Sequence, residues 1–515
     1  MSIIFFIVTI EVVPKTPLPL APWCVLGKGY GEAGGKGLHM NKKVMTNWRW
    51  VMCAMLFFAT TVNYMDRQVL SLTFGEFIQP EFHWTDSDYG TITGVFSIAY
   101  AIFCLFAGKF IDWMGTKKGY LWAICVWSLG AVLHAGCGVA TTWFVDGVDS
   151  VEALRMVEAG SQLAATISMI SVWLFLACRL VLGLGEAGNF PAAIKVTAEY
   201  FPKKDRAFAT SIFNAGASVG ALAAPATIPV LAKTMGWEWA FIIIGALGFV
   251  WAGIWIFVYD KPAESKHVNE AELAYVNQDE EAAPAGKQEK AMSFAKAFTF
   301  RQTWSFAFGK FMTDGVWWFF LFWAPSYFQD QFGYKASSGM GQALIFTLYF
   351  ICTVLSIYGG YLPKLFVEKK GMEPYAGRMR SMLIFAFFPL TALVAQTLGA
   401  YSAWWPAIII GLAGAGHQAW SANLFSTIGD MFPKSTIATI TGIGAMAGGI
   451  GSMIIQKSAG ALFTYAEGQG AAFSVLGFEG KPAGYFCVFC FCAIAYVLAW
   501  SIMKALVPRY KKVEI

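Results

Sequence analysis

Twelve apolar stretches, each close to the length that crosses a bilayer, dictate what this chain can fold into. They run approximately over 48–73, 89–112, 119–140, 169–194, 207–232, 238–259, 302–327, 340–366, 380–400, 404–428, 436–464 and 484–507. A helix needs roughly 20 residues to span the hydrocarbon core, and runs of this length are too long for barrel strands. Irregular backbone does not survive in contact with lipid, so the spans are predicted to be helices. Composition agrees: 57% of residues are hydrophobic and only 13% charged, where soluble domains carry roughly 25% charge.

Lysine and arginine set the expected orientation. The connection GEFIQPEFHWTDSD after the first span holds four acids and no base, and AYSA between the ninth and tenth holds no charge, so both are expected outside. The alternate connections carry Lys117 and Lys118; Lys203, Lys204 and Arg206; Lys364, Lys369, Lys370, Arg378 and Arg380; then Lys504, Arg509, Lys511 and Lys512. Both termini are therefore expected in the cytoplasm. The net charge of +5 reflects this sidedness and gives no reason to invoke nucleic acid.

Two segments exceed a minimal bundle. TTWFVDGVDSVEALRMVEAGSQLAAT widens the third outer connection and is expected to form a small external helix. MSIIFFIVTI is too short to span and lacks a basic leader region. Residues 1–40 are expected to be disordered, or an overlong start ahead of Met40 or Met45. The Gly35-Lys36 pair does not complete a phosphate loop, because Tyr30 and Gly37 stand where Gly and Ser or Thr are needed. The cysteines, including Cys487, Cys490 and Cys492 of CVFCFC, read as inert packing, so neither a metal nor a cofactor is expected.

The chain repeats itself. Phe201-Pro202-Lys203 returns as Phe432-Pro433-Lys434, 231 residues on, and each opens a helix rich in small residues. Gly216 with Gly220, and Gly444 with Gly448, offer faces on which backbones approach closely. Six spans are thus duplicated into two halves, 48–260 and 301–507, flanked by a cytoplasmic segment 1–47 and a tail 508–515. The charged linker 261–300 contains HVNEAELAYV, predicted to be a helix capped by Asn269 with Glu272 at the capping-box position.

Parallel six-helix halves describe the major facilitator architecture. GKFIDWMGTKK, with Gly108, Asp112, Gly115, Lys117 and Lys118, resembles that superfamily's loop between its second and third helices, departing at Trp113 where a base is usual. The resemblance implies a gating and topology role for this loop. NYMDR, RLVLGLGEAGNFP, KFMTDGVWWFFLFWAPSYF and GHQAWSANLFSTIGDMFP resemble the anion:cation symporter branch, the bacterial hexuronate transporters above all. The resemblance covers about 48–507 and fails over the first 40 residues and the widened third connection. The fold class expected is an all-α membrane protein of twelve helices in two halves.

Charged groups at membrane depth need a partner, a wet cavity or a function. In RLVLGLGE, Arg179 and Glu186 share a face but lie about 10 Å apart along the axis, too far to pair directly. The protonation of a buried carboxyl follows the charges beside it, so Glu186 is expected to respond to what occupies Arg179. A permanent salt bridge within this half is the alternative. Asp66 and Arg67 point about 100° apart and do not neutralise each other, while Asn63 lies one turn before Arg67. A guanidinium suits a carboxylate bidentately. Arg67 is expected to hold a substrate carboxylate from an aqueous pocket shared by the two halves, with Asn63 and Tyr100 reaching hydroxyls and Asp66 taking a proton. The alternative is that Asp66 and Arg67 only gate the outer mouth.

The second half supplies a different chemistry. Lys310 and Asp314 form an i, i+4 pair, with Asp314 a further proton-coupling candidate. Trp317 or Trp318 offers a ring face to a sugar, and His417, Gln418, Ser421 and Asn423 place hydroxyl-reading groups near mid-span. A hydroxylated carboxylate such as a hexuronate, symported with a cation, more readily H⁺ than Na⁺, fits between these walls. An aldonate or aldarate, or a sensor that does not transport, are the other readings. A hydrolase fits poorly, for no nucleophile and base stand at useful spacing. A monomer in the bacterial inner membrane is expected.

Overall fold

Inside a bilayer no water meets the backbone, so each long apolar run closes its hydrogen bonds on itself. The computed structural model describes residues 45–278, 293–356, 358–433 and 436–513. Twelve long rods follow one another there: α1 Trp48–Thr73, α2 Asp86–Met114, α3 Thr116–Phe144, α4 Gln162–Tyr200, α5 Lys203–Met235, α6 Trp237–Val258, α7 Arg301–Phe332, α8 Gly339–Ser356 continued by Tyr358–Lys370, α9 Pro374–Gly399, α10 Trp404–Met431, α11 Ile437–Gln469 and α12 Lys481–Leu506. They fall on the stretches read from the sequence, with the ends moved by caps. Thr85 and Asp88 close a capping box that starts α2 at Asp86, and the Ser161 hydroxyl accepts from Ala164 N at 3.1 Å to start α4 early. The disorder expected of residues 1–40 lies outside the described residues.

Among the described residues, nine rods carry a window apolar enough to cross a membrane, and α1, α7 and α10 do not. Those three are the rods that hold most of the polar residues singled out above.

Rod pairing repeats six rods on. α1 lies along α5 as α7 lies along α11; α3 meets α6 as α9 meets α12; α2 packs on α11 as α8 packs on α5. The last two pairings join the halves. Small residues allow the first: a Cβ on Gly216 or Gly220 would strike the backbone of α1 at Phe57 or Thr61. The same stretch, Gly216-Ala217-Ser218-Val219-Gly220, spells the GxSxG of hydrolases, but it lies inside α5 rather than at the strand-to-helix turn which that chemistry needs.

The rods alternate in direction, so Met45 and Val513 come to one end, the proximal end. The distal end carries Val151–Met156, the small helix expected in the widened connection, whose Leu154 is buried and whose Arg155 binds Glu81. A two-residue hairpin before α12, β1 Ser474–Val475 paired with β2 Phe478–Glu479, was not foreseen; its turn needs positive φ, 50° at Leu476 and 87° at Gly477.

The linker helix Glu270–Val276 is capped by Asn269 as expected, its side chain accepting from Glu272 N at 3.0 Å. Glu272 does not close the capping box. Its carboxylate turns to α1 and accepts from Trp48 N (2.9 Å), Arg49 N (3.1 Å), the Arg49 guanidinium (3.1 Å) and the Thr46 hydroxyl. The cause is the start of α1, where Asn47 has φ 59° and supplies no side-chain cap. The first N–H groups and the Arg49 charge therefore draw the acid from across the chain.

Candidate functional site

Polar side chains from the distal third of α1 meet those from the middle of α4. Arg67 Nε donates to Glu186 Oε2 at 2.8 Å, and the pair is almost wholly buried. Arg179 also stands in electrostatic reach of Glu186 without bonding it, as the spacing along α4 requires; its guanidinium lies 5.4 Å from the Phe96 ring. Asp66 faces Arg179 and Glu186 and is turned to the Trp127 indole, yet by strict geometry neither of its oxygens completes a hydrogen bond among the described residues. The same holds for both amide atoms of Asn63, for Arg67 Nη2, Arg179 Nε and Glu186 Oε1. Buried polar atoms are rarely left so, and a cluster of them marks a place built for water, protons or a ligand.

Three rings cover Arg67: Tyr100 at 4.5 Å, Tyr64 at 5.2 Å and Trp318 at 5.4 Å from the guanidinium carbon. Trp318 comes from α7, so the second half touches the first at the arginine. The expectation that Arg67 opens on an aqueous pocket is not met in this conformation, since only 4% of the residue is exposed. The reason is that the Glu186 ion pair and the rings close over it. Tyr64, Tyr100 and Trp318 are themselves half-buried, so the arginine lies one layer behind them. A groove of about 800 Å³ lies elsewhere, on the flank between α2 and α4, lined by Val95, Met169, Trp173 and Leu180 among others.

On the second half, Trp317 lies flat on His417, centroids 5.3 Å apart and planes 3° from parallel. His417 Nδ1 is 2.7 Å from the Tyr496 hydroxyl. Lys310 and Asp314 pair at 2.6 Å as their spacing predicts, and the carboxylate fits against Gly448, where a Cβ would strike it. Gln418 and Ser421 are half-buried on the same rod. Asn423 is not brought to them: its NH2 donates at 2.8 Å to Gly359 O and to Ala419 O, tying α10 to α8.

The α2–α3 loop turns at Gly115, φ 79°, and Gly108 one helical stretch earlier has open space beside it. Asp112 pairs with Lys195 of α4 and Lys117 with Asp260 beyond α6, each at 2.8 Å, while Lys118 and Trp113 face outward. These ties, and Arg378 to Asp430 at 2.7 Å, lie within one half, Arg49–Glu272 joins the first half to the linker, and among the described residues no proximal ion pair joins the two halves.

Distal ties other than Arg155–Glu81 instead cross between halves. Lys481 of α12 sits 2.7 Å from Asp86 of α2, 2.8 Å from Asp330 of α7 and 3.8 Å from Glu467 of α11. Gln329 donates to Gly75 O at 3.0 Å, Tyr89 to Phe322 O at 2.8 Å, and Ser337 to Glu76 at 2.8 Å. The distal end is thus locked. Sequence reasoning missed Lys481, which sits at a rod end where a base looks like an ordinary loop charge. It also missed the buried His134 of α3, which carried no motif around it. No group of three His, Cys, Asp or Glu able to hold a metal occurs among the described residues.

The sequence profile of the Major Facilitator Superfamily matches residues 56–455. The chain is 28% identical over 415 residues to a hexuronate transporter of Escherichia coli strain K12, covering 80% of this chain and 87% of that one. It is 28% identical to a galacturonate transporter of Dickeya chrysanthemi, covering 62% and 82%, and 26% identical to a D-galactonate transporter of Escherichia coli O6:H1, covering 82% and 90%. Among solved structures, a bacterial homologue of the human lysosomal transporter Spinster in an inward-facing, occupied conformation shares the fold at TM-score 0.64 and 17% identity, covering 89% of this chain and 97% of that one.

Proposed function

The chain belongs to the major facilitator superfamily, a family of transporters rather than enzymes, and on that premise we propose that it imports a sugar acid, a hexuronate such as glucuronate or galacturonate, by proton symport. In this reading the protein is a monomer of the bacterial inner membrane, its proximal end is cytoplasmic, and its two halves rock about a shared site. The lysine-rich proximal connections support the orientation. The hexuronate and galacturonate transporters among its relatives support the substrate.

The observation that carries the reading is the buried Arg67–Glu186 pair with unpartnered Asn63 and Asp66 around it. Arg67 has one N–H spent on Glu186 and a free Nη2 behind it. A proton on Glu186 removes the charge that holds the guanidinium, which then turns its fork to a substrate carboxylate. Asn63 reads a hydroxyl, and Asp66 takes the proton up and hands it to Glu186. Tyr100 and Trp318 close over the sugar, and Trp317, His417, Gln418 and Ser421 wall it from the second half. Asn423 is left out of this wall. Arg179 keeps the emptied acids in register, and Asp314 stays with Lys310 as a reserve carboxylate. An anion moving inward opposes an inside-negative potential by about 2.3 kcal/mol per charge per 100 mV, so uptake needs the protons.

The relative that carries D-galactonate keeps an aldonate as the second substrate reading. Counterflow in proteoliposomes with labelled glucuronate, galacturonate and galactonate, with and without a pH gradient, ranks them. Arg67→Ala is expected to abolish exchange, and Glu186→Gln to keep exchange while losing its response to the gradient. Accumulation at full rate by Arg67→Ala overturns the proposal, and a wild type that carries none of the acids leaves a sensor as the better reading.

A further inference from the structure

A file of buried polar atoms without protein partners leads from the Asp66 cluster toward the distal surface along α3. Trp127 Nε1 and Ser128 Oγ come first, both unpartnered among the described residues. They converge on Gly248 of α6, where a Cβ would lie 3.2 Å from the indole nitrogen and strike the hydroxyl. His134 follows seven residues on, about 10 Å along the helix. Its Nδ1 is 2.6 Å from Gly130 O. A carbonyl only accepts, so the proton sits on Nδ1 and Nε2 is bare; Nε2 too has no partner. The ring is boxed by Phe241, stacked at 4.9 Å, and by the edge of Phe175 at 5.5 Å.

One turn further, a Cβ on Gly138 would lie 3.5 Å from Glu81 Oε1, which is unpartnered and points inward. The other oxygen, Oε2, accepts from Trp237 Nε1 at 3.0 Å and from Arg155 Nε at 2.9 Å. Trp237 packs on Phe241 and Phe175, the same rings that box His134. Arg155 is half-exposed at the distal surface. Burial pushes the Glu81 carboxyl up, and Arg155 with the Trp237 indole pulls it back.

We propose that Glu81 and His134 form a water-bridged proton relay that feeds Asp66 from the distal side, along α3 and apart from the path of the substrate. Polar atoms buried in such a row are satisfied by ordered water in folded proteins. Glu81 gives its proton to the bridging water, His134 Nε2 takes it up and the same nitrogen releases it to water on the cluster side while Nδ1–H stays on Gly130 O, and Asp66 ends protonated with the imidazole neutral again. Glu81 is reloaded from solvent past Arg155. The charges that face these groups are Arg155 and Glu238 at Glu81, Arg179 at His134, and Arg179 with Glu186 at Asp66. Arg179 would oppose a passing imidazolium, but its charge is offset by Glu186 and Asp66.

This rests on the proton coupling proposed above, and the test separates the two. Proteoliposomes are loaded with a pH dye and with whichever of the three labelled acids is carried. Exchange at equal pH needs no net proton movement, whereas substrate-driven proton influx does. His134→Phe, which keeps the ring packing, is expected to exchange near the wild-type rate while proton influx falls about tenfold or more and loses its rise toward acid. Unchanged influx overturns the relay. Should that variant fail to fold, Glu81→Gln decides the matter in the same assay, with unchanged influx again overturning it. A wild type that moves no protons sinks the coupling itself and the relay with it.

Discussion

Lys481 is the place where one substitution should change which way the protein faces. Its ammonium joins Asp86 of the first half to Asp330 and Glu467 of the second, and Asp86 is 1% exposed while Lys481 is 12% exposed at the side chain. Removing one partner of a fully buried pair costs about 3–5 kcal/mol, because the other charge is stranded. The partial exposure of Lys481 and Asp330 reduces this to roughly 2 kcal/mol, a shift of about 30-fold in a two-state equilibrium. Opening the distal end hydrates Asp86 and escapes the penalty. Lys481→Met is therefore expected to populate a distally open form. Spin labels at the exposed positions Asp149 and Leu476, read as a distance distribution in nanodiscs, report it directly. Adding Asp86→Asn should restore most of the closed distribution, since the fully buried charge is then gone and Asp330, one-fifth exposed, keeps its bond from the Tyr485 hydroxyl. An unchanged distribution in Lys481→Met, or a double variant as open as the single, refutes the reasoning.

Two further outcomes test the frame around the site. Glu272→Ala strips the cap from α1 and strands Arg49, so the melting temperature should fall by the equivalent of about 3–5 kcal/mol, and Glu272→Gln, which keeps the acceptor, should lose less; equal melting curves for all three proteins refute the assignment. Gly185→Ala sets a Cβ against the backbone of α3 at Ala123 and Trp127 and, beside Glu186, should cost roughly 1–3 kcal/mol and slow exchange. Wild-type stability and exchange in this variant would mean the two helices do not need their close approach.

The rods were legible because a run of about 20 apolar residues has one structural outcome in lipid. The charges that interrupt those runs were legible for the same reason, and Asp66, Arg67, Arg179 and Glu186 do come together. Their pairing was not. Spacing along α4 rules out a direct Arg179–Glu186 bond but says nothing of α1, and it is Arg67 that closes on Glu186. Trp317 and Trp318 could not be ranked from sequence either, though about 100° of helix turn sends them to different neighbours, His417 and Arg67. Glu272 looked like a local cap because a capping box is a local pattern, and its use on α1 depends on the left-handed Asn47. Asn423 looked like a polar reader at mid-span, but a backbone carbonyl on the next rod takes it first. His134 stands alone in an apolar run, and only the row of unpartnered atoms along α3 gives it company.

Charge balance ties these pieces to the proposed transport. With both acids ionised, Asp66 and Glu186 offset Arg67 and Arg179, and an empty cluster in that state is neutral and can sit behind its rings in a medium that tolerates no net charge. A monocarboxylate brings one negative charge and one proton cancels it, which makes the loaded cluster as easy to occlude as the empty one. A dicarboxylate needs a second proton, and the cluster has two acids to hold the pair. On the proposed reading the substrate class and the proton count are therefore one question, and the Arg67–Glu186 bond is where it would be decided: with Glu186 ionised the clamp would be shut against any carboxylate, and a proton there would admit one.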